Sequence, residues 1–300
     1  MIYCMSDLHG CYNAYLSMLE QIGFSDRDTL YILGDVIDRG PQSIRILQDM
    51  MMRANVFPIL GNHEYAAITC LKFLLKEVTK KSAEEIDAEE LLAVEEWLRI
   101  GGQDTLDELK KLSREEREDL LDYLLEFSLY AELTVNGQEY VLVHGGLSGF
   151  YPERPMDEYL VPELIFGHPD YSRRYFPNKY LVTGHYPTTL IPGHEKDEVY
   201  QKNGHFAIDC GCVFGPETSE AYKQYVRENL LGADCYPVSH KELGQMMELL
   251  RFGGIPHYVT ISPDGQIMRN SLNYFSNNYD LFLQRLGEMK VSQSGINETR

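Results

Sequence analysis

The regular alternation of the first 65 residues constrains this chain more than any other feature. Ile2 to Met5 reads as a short buried strand, and Cys11 to Ile22 as a helix with Tyr12, Tyr15, Leu16, Leu19 and Ile22 on one face. Thr29 to Leu33 reads as a second strand, Ile44 to Met52 as a second helix and Val56 to Leu60 as a third strand. Pro41 stands where a first helical turn tolerates it. A β-α-β-α-β order implies parallel strands joined by right-handed crossovers. Each strand runs into a polar signature: S-D-L-H-G at Ser6, G-D-V-I-D-R-G at Gly34, and G-N-H-E at Gly61. Ligands in α/β folds sit beyond the carboxyl ends of strands, so all three signatures are expected on one edge.

From about 66 to 130 the chain is rich in Glu, Lys and Leu at helical spacing, which predicts a helical insertion with solvated charged faces. Trp97, the only tryptophan, is expected to end one of these helices and face the site, next to Gly101-Gly102. Strands return as two hairpins around Asn136-Gly137 and Asn203-Gly204, a pair of residues suited to tight two-residue turns. Apolar runs end at His144-Gly145-Gly146 and at Gly184-His185. Beyond about 216 an extension is expected to hold a helix over Lys241–Arg251, a terminal hairpin from His257 with a turn at Asp264-Gly265, and a frayed end. The whole, residues 1–300, is expected to be a single domain.

A formal net charge of −19 excludes partners that demand clustered Lys and Arg, namely nucleic acid and anionic membranes. It also requires any phosphate site to be made locally positive, which bound cations do. No segment reaches 18 uninterrupted apolar residues. Six scattered cysteines without a C-x-x-C pair fit a reducing compartment, and the first motif begins at Ser6, where a signal peptide would lie; a cytoplasmic protein is expected.

Phosphate ester hydrolysis is among the slowest uncatalysed reactions. Two divalent ions about 3.5–4 Å apart accelerate it by activating a bridging water and neutralising phosphoryl charge. Such a centre needs a bridging carboxylate with oxygen and imidazole ligands on each ion. The sequence offers Asp7, His9 and Asp35 for one ion, and Asp35, Asn62, His144 and His185 for the other. With Asn62 on a metal, its loop neighbour His63 is free to protonate the leaving group, held in the correct tautomer by Asp38. Arg39 offers a planar fork for two phosphate oxygens. His194 and His205 read as structural.

These motifs, with His144-Gly145-Gly146 and Gly184-His185, resemble the phosphoprotein phosphatase family over roughly residues 1–215. The resemblance is to its bacterial and phage-lambda branch, a likeness that Trp97 with Gly101-Gly102 and Ile208-Asp209-Cys210-Gly211 strengthens. It implies the calcineurin-like metallophosphoesterase sandwich, two mixed β-sheets flanked by helices. It also implies Mn²⁺ as the working metal, with Fe, Zn, Ni or Co as alternatives, and hydrolysis of phosphoserine or phosphothreonine in a protein or of a small phosphoester.

Two positions depart from that pattern. His168 stands where relatives carry a second phosphate-binding arginine, and Tyr186 where they often carry threonine. Either His168 contacts phosphate or Arg173 or Arg174 swings in to replace it; weaker phosphate binding or an altered substrate is expected. Symmetrical diadenosine tetraphosphate hydrolysis is the alternative activity, although that branch tends to N-H-D where this chain has N-H-E. A DNA nuclease is disfavoured, because those enzymes end in G-H-x-H and residue 187 is proline. A third reading is a phosphate-binding protein with little turnover.

Overall fold

The structure, a computed structural model, describes residues 1–75, 88–194, 198–212, 257–261 and 267–271. Two five-stranded sheets carry it. The first holds β1 (Ile2–Met5), β2 (Thr29–Leu33) and β3 (Val56–Ile59), parallel as expected, with Ile2 opposite Thr29 and Leu30 opposite Val56. The second holds β4 (Tyr130–Val135), β5 (Gln138–Val143), β6 (Lys179–Thr183), β7 (Tyr200–Lys202) and β8 (His205–Ala207) in the order β4-β5-β6-β8-β7. β5, β6 and β8 run parallel to one another, and β4 and β7 pair antiparallel at the edges. Asn136-Gly137 and Asn203-Gly204 take positive φ at both positions, the conformation that closes two-residue hairpins.

Side chains alternate across each strand and so sort into three cores. On one face of the first sheet, Tyr3, Met5, Leu30 and Ile32 pack under α1 (Tyr12–Ile22) and α2 (Ser43–Met51). From the other face Cys4, Leu33 and Ile59 meet Tyr140, Leu142, Val182 and Phe206 of the second sheet. Val141, Val143 and Leu181 point away on the far side, against Leu147, Tyr175 and Leu164 of α7 (Val161–Ile165). Each fully buried side chain of this size contributes about 1.5–3 kcal/mol.

Helices follow β3: α3 (Asn62–Leu74), α4 (Ala88–Trp97), α5 (Gln103–Leu109) and α6 (Arg114–Leu125), with a π turn over Leu98–Gly102 between α4 and α5. The sequence pattern places G-N-H-E on a loop and begins the helical region at 66; the helix instead starts at Asn62. Gly61 is extended at its N-cap, and Glu64 reaches back to the Gly61 N–H at 3.0 Å, which starts the helix inside the motif. α2 has no side-chain cap of its own, and Glu108 of α5 supplies one by accepting from Ser43 N at 2.9 Å and Ile44 N at 3.2 Å.

β9 (His257–Ile261) and β10 (Ile267–Ser271) form the expected terminal hairpin, and β9 adds to the first sheet antiparallel to β1, with Cys4 opposite Val259. The helix expected over Lys241–Arg251, the turn at Asp264-Gly265, His240 and the chain end lie outside the described residues, as do residues 76–87 of the expected insertion. No helix among the described residues is long and apolar enough to cross a membrane.

Candidate metal centre

The carboxyl ends of β1, β2, β5, β6 and β8 all open on one edge, where the polar signatures meet. The loops after β1 and β2 are zipped together: Asp7 N donates to Gly34 O at 3.0 Å, His9 N to Asp35 O at 2.9 Å, and Gly10 N to Val36 O at 2.7 Å. This pairing holds Asp7, His9, Asp35, Asp38 and Arg39 at positive φ, and His185 shares that conformation. Outside glycine it costs on the order of 1 kcal/mol per residue, and its concentration at one edge marks a functional site. Packing leaves no room at Gly61, where a Cβ would run into the Asp35 carboxylate.

Three imidazoles are oriented through their Nδ1 atoms. His9 Nδ1 donates to Ile37 O at 2.9 Å and His144 Nδ1 to Leu33 O at 2.6 Å, which leaves each Nε2 with a lone pair aimed into the cluster. Backbone carbonyls fix metal-ligating histidines in this way. His144 Nε2 lies against two oxygens, Asn62 Oδ1 at 3.0 Å and Asp35 Oδ1 at 3.3 Å. A lone pair among acceptors calls for a positive centre between them, a proton or a metal ion. His9 Nε2 lies 3.7 Å from Asp35 Oδ2 and takes a 2.9 Å hydrogen bond from Arg39 Nη1. His63 Nδ1 bonds instead to a carboxylate, Asp38 Oδ2, at 2.7 Å; its Nε2 is buried 3.8 Å from Asp35 Oδ2 and has no hydrogen-bond partner.

Ligating atoms within 4.8 Å of one another form two sets, His9–Asp35–His63 and Asp35–His144–His185. Asp35 belongs to both, as a bridging carboxylate must. The sets differ from the sequence assignment in one respect. His63 stands beside His9 and Asp35 where Asp7 is expected, while Asp7 Oδ2 accepts the His185 N–H at 2.9 Å.

The charges fit cations. Burial, with repulsion from Asp209 and Asp35, pushes the Asp7 carboxyl well above its ordinary range. Burial also drives Asp209 up to about 6, and burial together with Asp35 drives Glu64 up to about 7. Burial acts on Asp35 in the same direction, but His144, His63 and His9 hold it well below the usual carboxylate range. His144 is desolvated, yet Asp35 raises it to about 10; burial depresses His185 to about 3. Several buried carboxylates crowded around imidazole lone pairs are the donor set for hard or borderline divalent ions.

Arg39 lies at the rim, with its Nε donating to Ile100 O at 3.3 Å. His168 is exposed on the flank, its ring 6.2 Å from that of His185. Arg173 and Arg174 are held elsewhere. Arg173 lies over the rings of Phe150 and Tyr175, and Arg174 donates to Phe176 O and Pro177 O, so neither guanidinium takes the place expected of it beside His168. His205 is buried against Thr183 Oγ1 at 2.9 Å, and His194 bonds Glu198 O.

Sequence reasoning assigns no role to two residues that shape the centre. Glu64 accepts from Gly61, Asp35, Val36 and Ile37 N–H groups at 2.8–3.2 Å, which ties the third signature to the second. Asp209, at the end of β8, is buried beside Asp7 and accepts from Gly211 N. The only sign of it in the sequence is a carboxylate directly after a strand, the pattern that also marks Asp7 and Asp35.

Residues 1–231 match the family model described as calcineurin-like phosphoesterase. Curated relatives include the symmetrical bis(5'-nucleosyl)-tetraphosphatase of Delftia acidovorans, 32% identical over 149 residues that cover 49% of this chain and 44% of that protein. The protein of the same description from Wigglesworthia glossinidia brevipalpis is 35% identical over 37% of this chain and 42% of its own length. The chain thus spans less than half the length of these relatives. Among solved structures, a candidate diadenosine tetraphosphatase aligns with a TM-score of 0.52 at 16% identity, covering 90% of this chain and 92% of that one. A serine/threonine phosphatase from Saccharomyces cerevisiae aligns at 0.50 and 12% identity, covering 90% and 78%. At these identities the two structures speak for the fold, two sheets flanked by helices. Together with the family match over most of its length, that fold makes the chain a member of the calcineurin-like phosphoesterase family.

Proposed function

We propose that the chain is a two-metal hydrolase whose principal substrates are symmetrical dinucleoside tetraphosphates. The observation that carries the reading is Asp35, shared between two sets of ligating atoms. The substrate class rests on the curated relatives, which are symmetrical bis(5'-nucleosyl)-tetraphosphatases. Asp7, His9 and Asp35 would hold one divalent ion, and Asp35, Asn62, His144 and His185 the other, Mn²⁺ being the first to test. Bound there, the ions supply Lewis-acid charge for the phosphoryl oxygens and a nucleophilic water.

The chain's own residues do the rest. His63 carries the proton for the leaving oxygen on Nε2, the atom that makes no hydrogen bond among the described residues. His9 and His144 are fixed by neutral carbonyls, whereas His63 is fixed by the Asp38 carboxylate, which holds the ring with Nδ1 turned to Asp38 and Nε2 turned to the cluster. After donation it relaxes to the Nδ1–H tautomer, with Asp38 still accepting. Arg39 offers its guanidinium to phosphate oxygens from the rim.

A second reading is hydrolysis of phosphoserine and phosphothreonine. It is favoured by the His63–Asp38 pair itself, since an alkoxide needs a proton far more than a departing nucleoside diphosphate does. Turnover of diadenosine tetraphosphate and of a phosphoserine peptide, compared side by side with Mn²⁺, decides between them. The proposed reading expects faster cleavage of the dinucleotide into two equal nucleoside diphosphates; preference for the peptide overturns it. Binding of either without release of product would leave only a phosphate-binding protein.

A further inference from the structure

The two positions at which the chain departs from the phosphatase pattern touch each other. The rings of His168 and Tyr186 meet edge to face with centroids 4.4 Å apart. Tyr186 directly follows the ligand candidate His185, and His168 lies 6.2 Å from the same ring. Behind them stands a fixed wall. Tyr171 lies 6.1 Å from Tyr186 and stacks on His205 at 5.2 Å with the planes 4° apart. His205 in turn is anchored on β8 by Thr183 Oγ1 at 2.9 Å.

From this juxtaposition we infer that His168 and Tyr186 form a seat for a planar aromatic group of the substrate, a nucleobase. A guanidinium would present a fork of N–H donors to phosphate; an imidazole paired edge to face with a phenol presents ring faces. The substitution therefore exchanges hold on phosphate for hold on a ring. Arg173 and Arg174 lie against other partners in this structure, Arg173 over Phe150 and Tyr175 and Arg174 on the Phe176 and Pro177 carbonyls. His168 is exposed and Tyr186 half-buried, which leaves ring surface open beside the metal centre. A nucleotide with its phosphate at His185 has its base within reach of that surface. The inference deepens the dinucleotide reading and rests on it for the choice of base.

The test compares two ligands that differ only in the base. Adenosine 5'-monophosphate and ribose 5-phosphate are titrated calorimetrically into the Mn²⁺-loaded protein. The wild type is expected to prefer the nucleotide by roughly tenfold, the scale of one base stacked on an aromatic side chain. In His168→Ala and in Tyr186→Ala that ratio should fall toward one. His168→Ala changes an exposed side chain, so it tests the seat even if loss of Tyr186 disturbs the loop; Tyr186→Leu keeps the bulk and removes the ring. Equal binding of both ligands by the wild type, or binding of neither, overturns the inference. So does a ratio that survives in both alanine variants. If His168→Ala weakens both ligands equally, His168 is a phosphate contact and the seat is refuted. Since the readout is binding, a nucleotide preference without dinucleoside tetraphosphate hydrolysis would refute the activity alone.

Discussion

Trp97 Nε1 donates to Asp38 Oδ2 at 2.8 Å, the same oxygen that accepts from His63 Nδ1 at 2.7 Å. The indole is fully buried and comes from the end of α4. A Cβ at Gly102 would strike its ring, so the π turn after α4 must close over it with a glycine there. The same turn accepts Arg39 N on Gly101 O and Arg39 Nε on Ile100 O. Helices far along the chain thus fix both halves of the D-R pair, Asp38 beside His63 and Arg39 at the rim.

Trp97→Phe keeps most of the packing and removes the second donor to Asp38. The carboxylate is then freer to rotate, and His63 loses its fixed aim. The effect should depend on the leaving group. With an alkyl phosphate, whose alkoxide must be protonated, kcat should fall by roughly tenfold or more. With p-nitrophenyl phosphate, whose leaving anion is stable, it should fall much less. Steady-state rates on the two substrates measure this; equal losses would mean that Trp97 only supports the fold.

His63 lies within ligating distance of His9 and Asp35, so its role as acid has a competitor in metal binding. His63→Asn separates the two. If His63 is the acid, the variant keeps two equivalents of Mn²⁺ by elemental analysis and loses about a hundredfold or more in kcat on an alkyl phosphate. If it is a ligand, the metal content drops to one. His144→Ala is the reference, expected to lose one equivalent.

Much of this centre is legible in the chain because strand ends are. Asp7, Asp35, His144 and His185 each follow an apolar run, and period-two burial makes the run a strand whose end faces the edge. What is not legible is contact between distant segments. Glu64 reads as the last letter of a motif, yet it clamps backbone from 27 to 29 residues upstream. The α6 cap, Ser113 with Glu116, is local and written in sequence, whereas the α2 cap comes from Glu108, 65 residues on. Asn62 and His63 read as loop because the cap that starts their helix is a glycine. The meeting of His168 with Tyr186 depends on the path of two loops, which no spacing encodes.

Chelated protein should lose stability as pH rises from about 6.5 to 10. His144, held up to about 10 by Asp35, keeps its proton in the folded state over that window, whereas the unfolded chain releases it near 6.5. The folded form binds more protons, so unfolding becomes easier with pH, by at most about 1.4 kcal/mol per pH unit. Glu64, raised to about 7, adds the same sign between about 4.5 and 7. Urea midpoints of EDTA-treated protein across this range test the slope, and His144→Ala should flatten it above pH 7. A rising or flat wild-type curve would refute the assignment.

Asp209→Asn should move chelated stability and cation affinity in opposite directions. Asp209 is buried beside Asp7, and its charge helps to push the Asp7 carboxyl up. Its carboxyl, pushed up to about 6 by burial, favours folding at low pH and loses that advantage as pH rises from about 3.8 through 6. At pH 7.5 the side chain is therefore an ionised group held at a cost. An asparagine carbonyl keeps the hydrogen bond from Gly211 N and removes the charge. The EDTA-treated variant should be more stable than wild type by up to about 3 kcal/mol, since each of the roughly two pH units by which the folded carboxyl is raised is worth about 1.4 kcal/mol. With Mn²⁺ present the order should reverse, because the stabilisation that a bound ion confers follows its affinity and the variant has lost one buried negative charge beside the site. Thermal unfolding with EDTA and with a Mn²⁺ series measures both halves. A chelated variant less stable than wild type would refute the view that the crowding of buried carboxylates governs this corner of the centre.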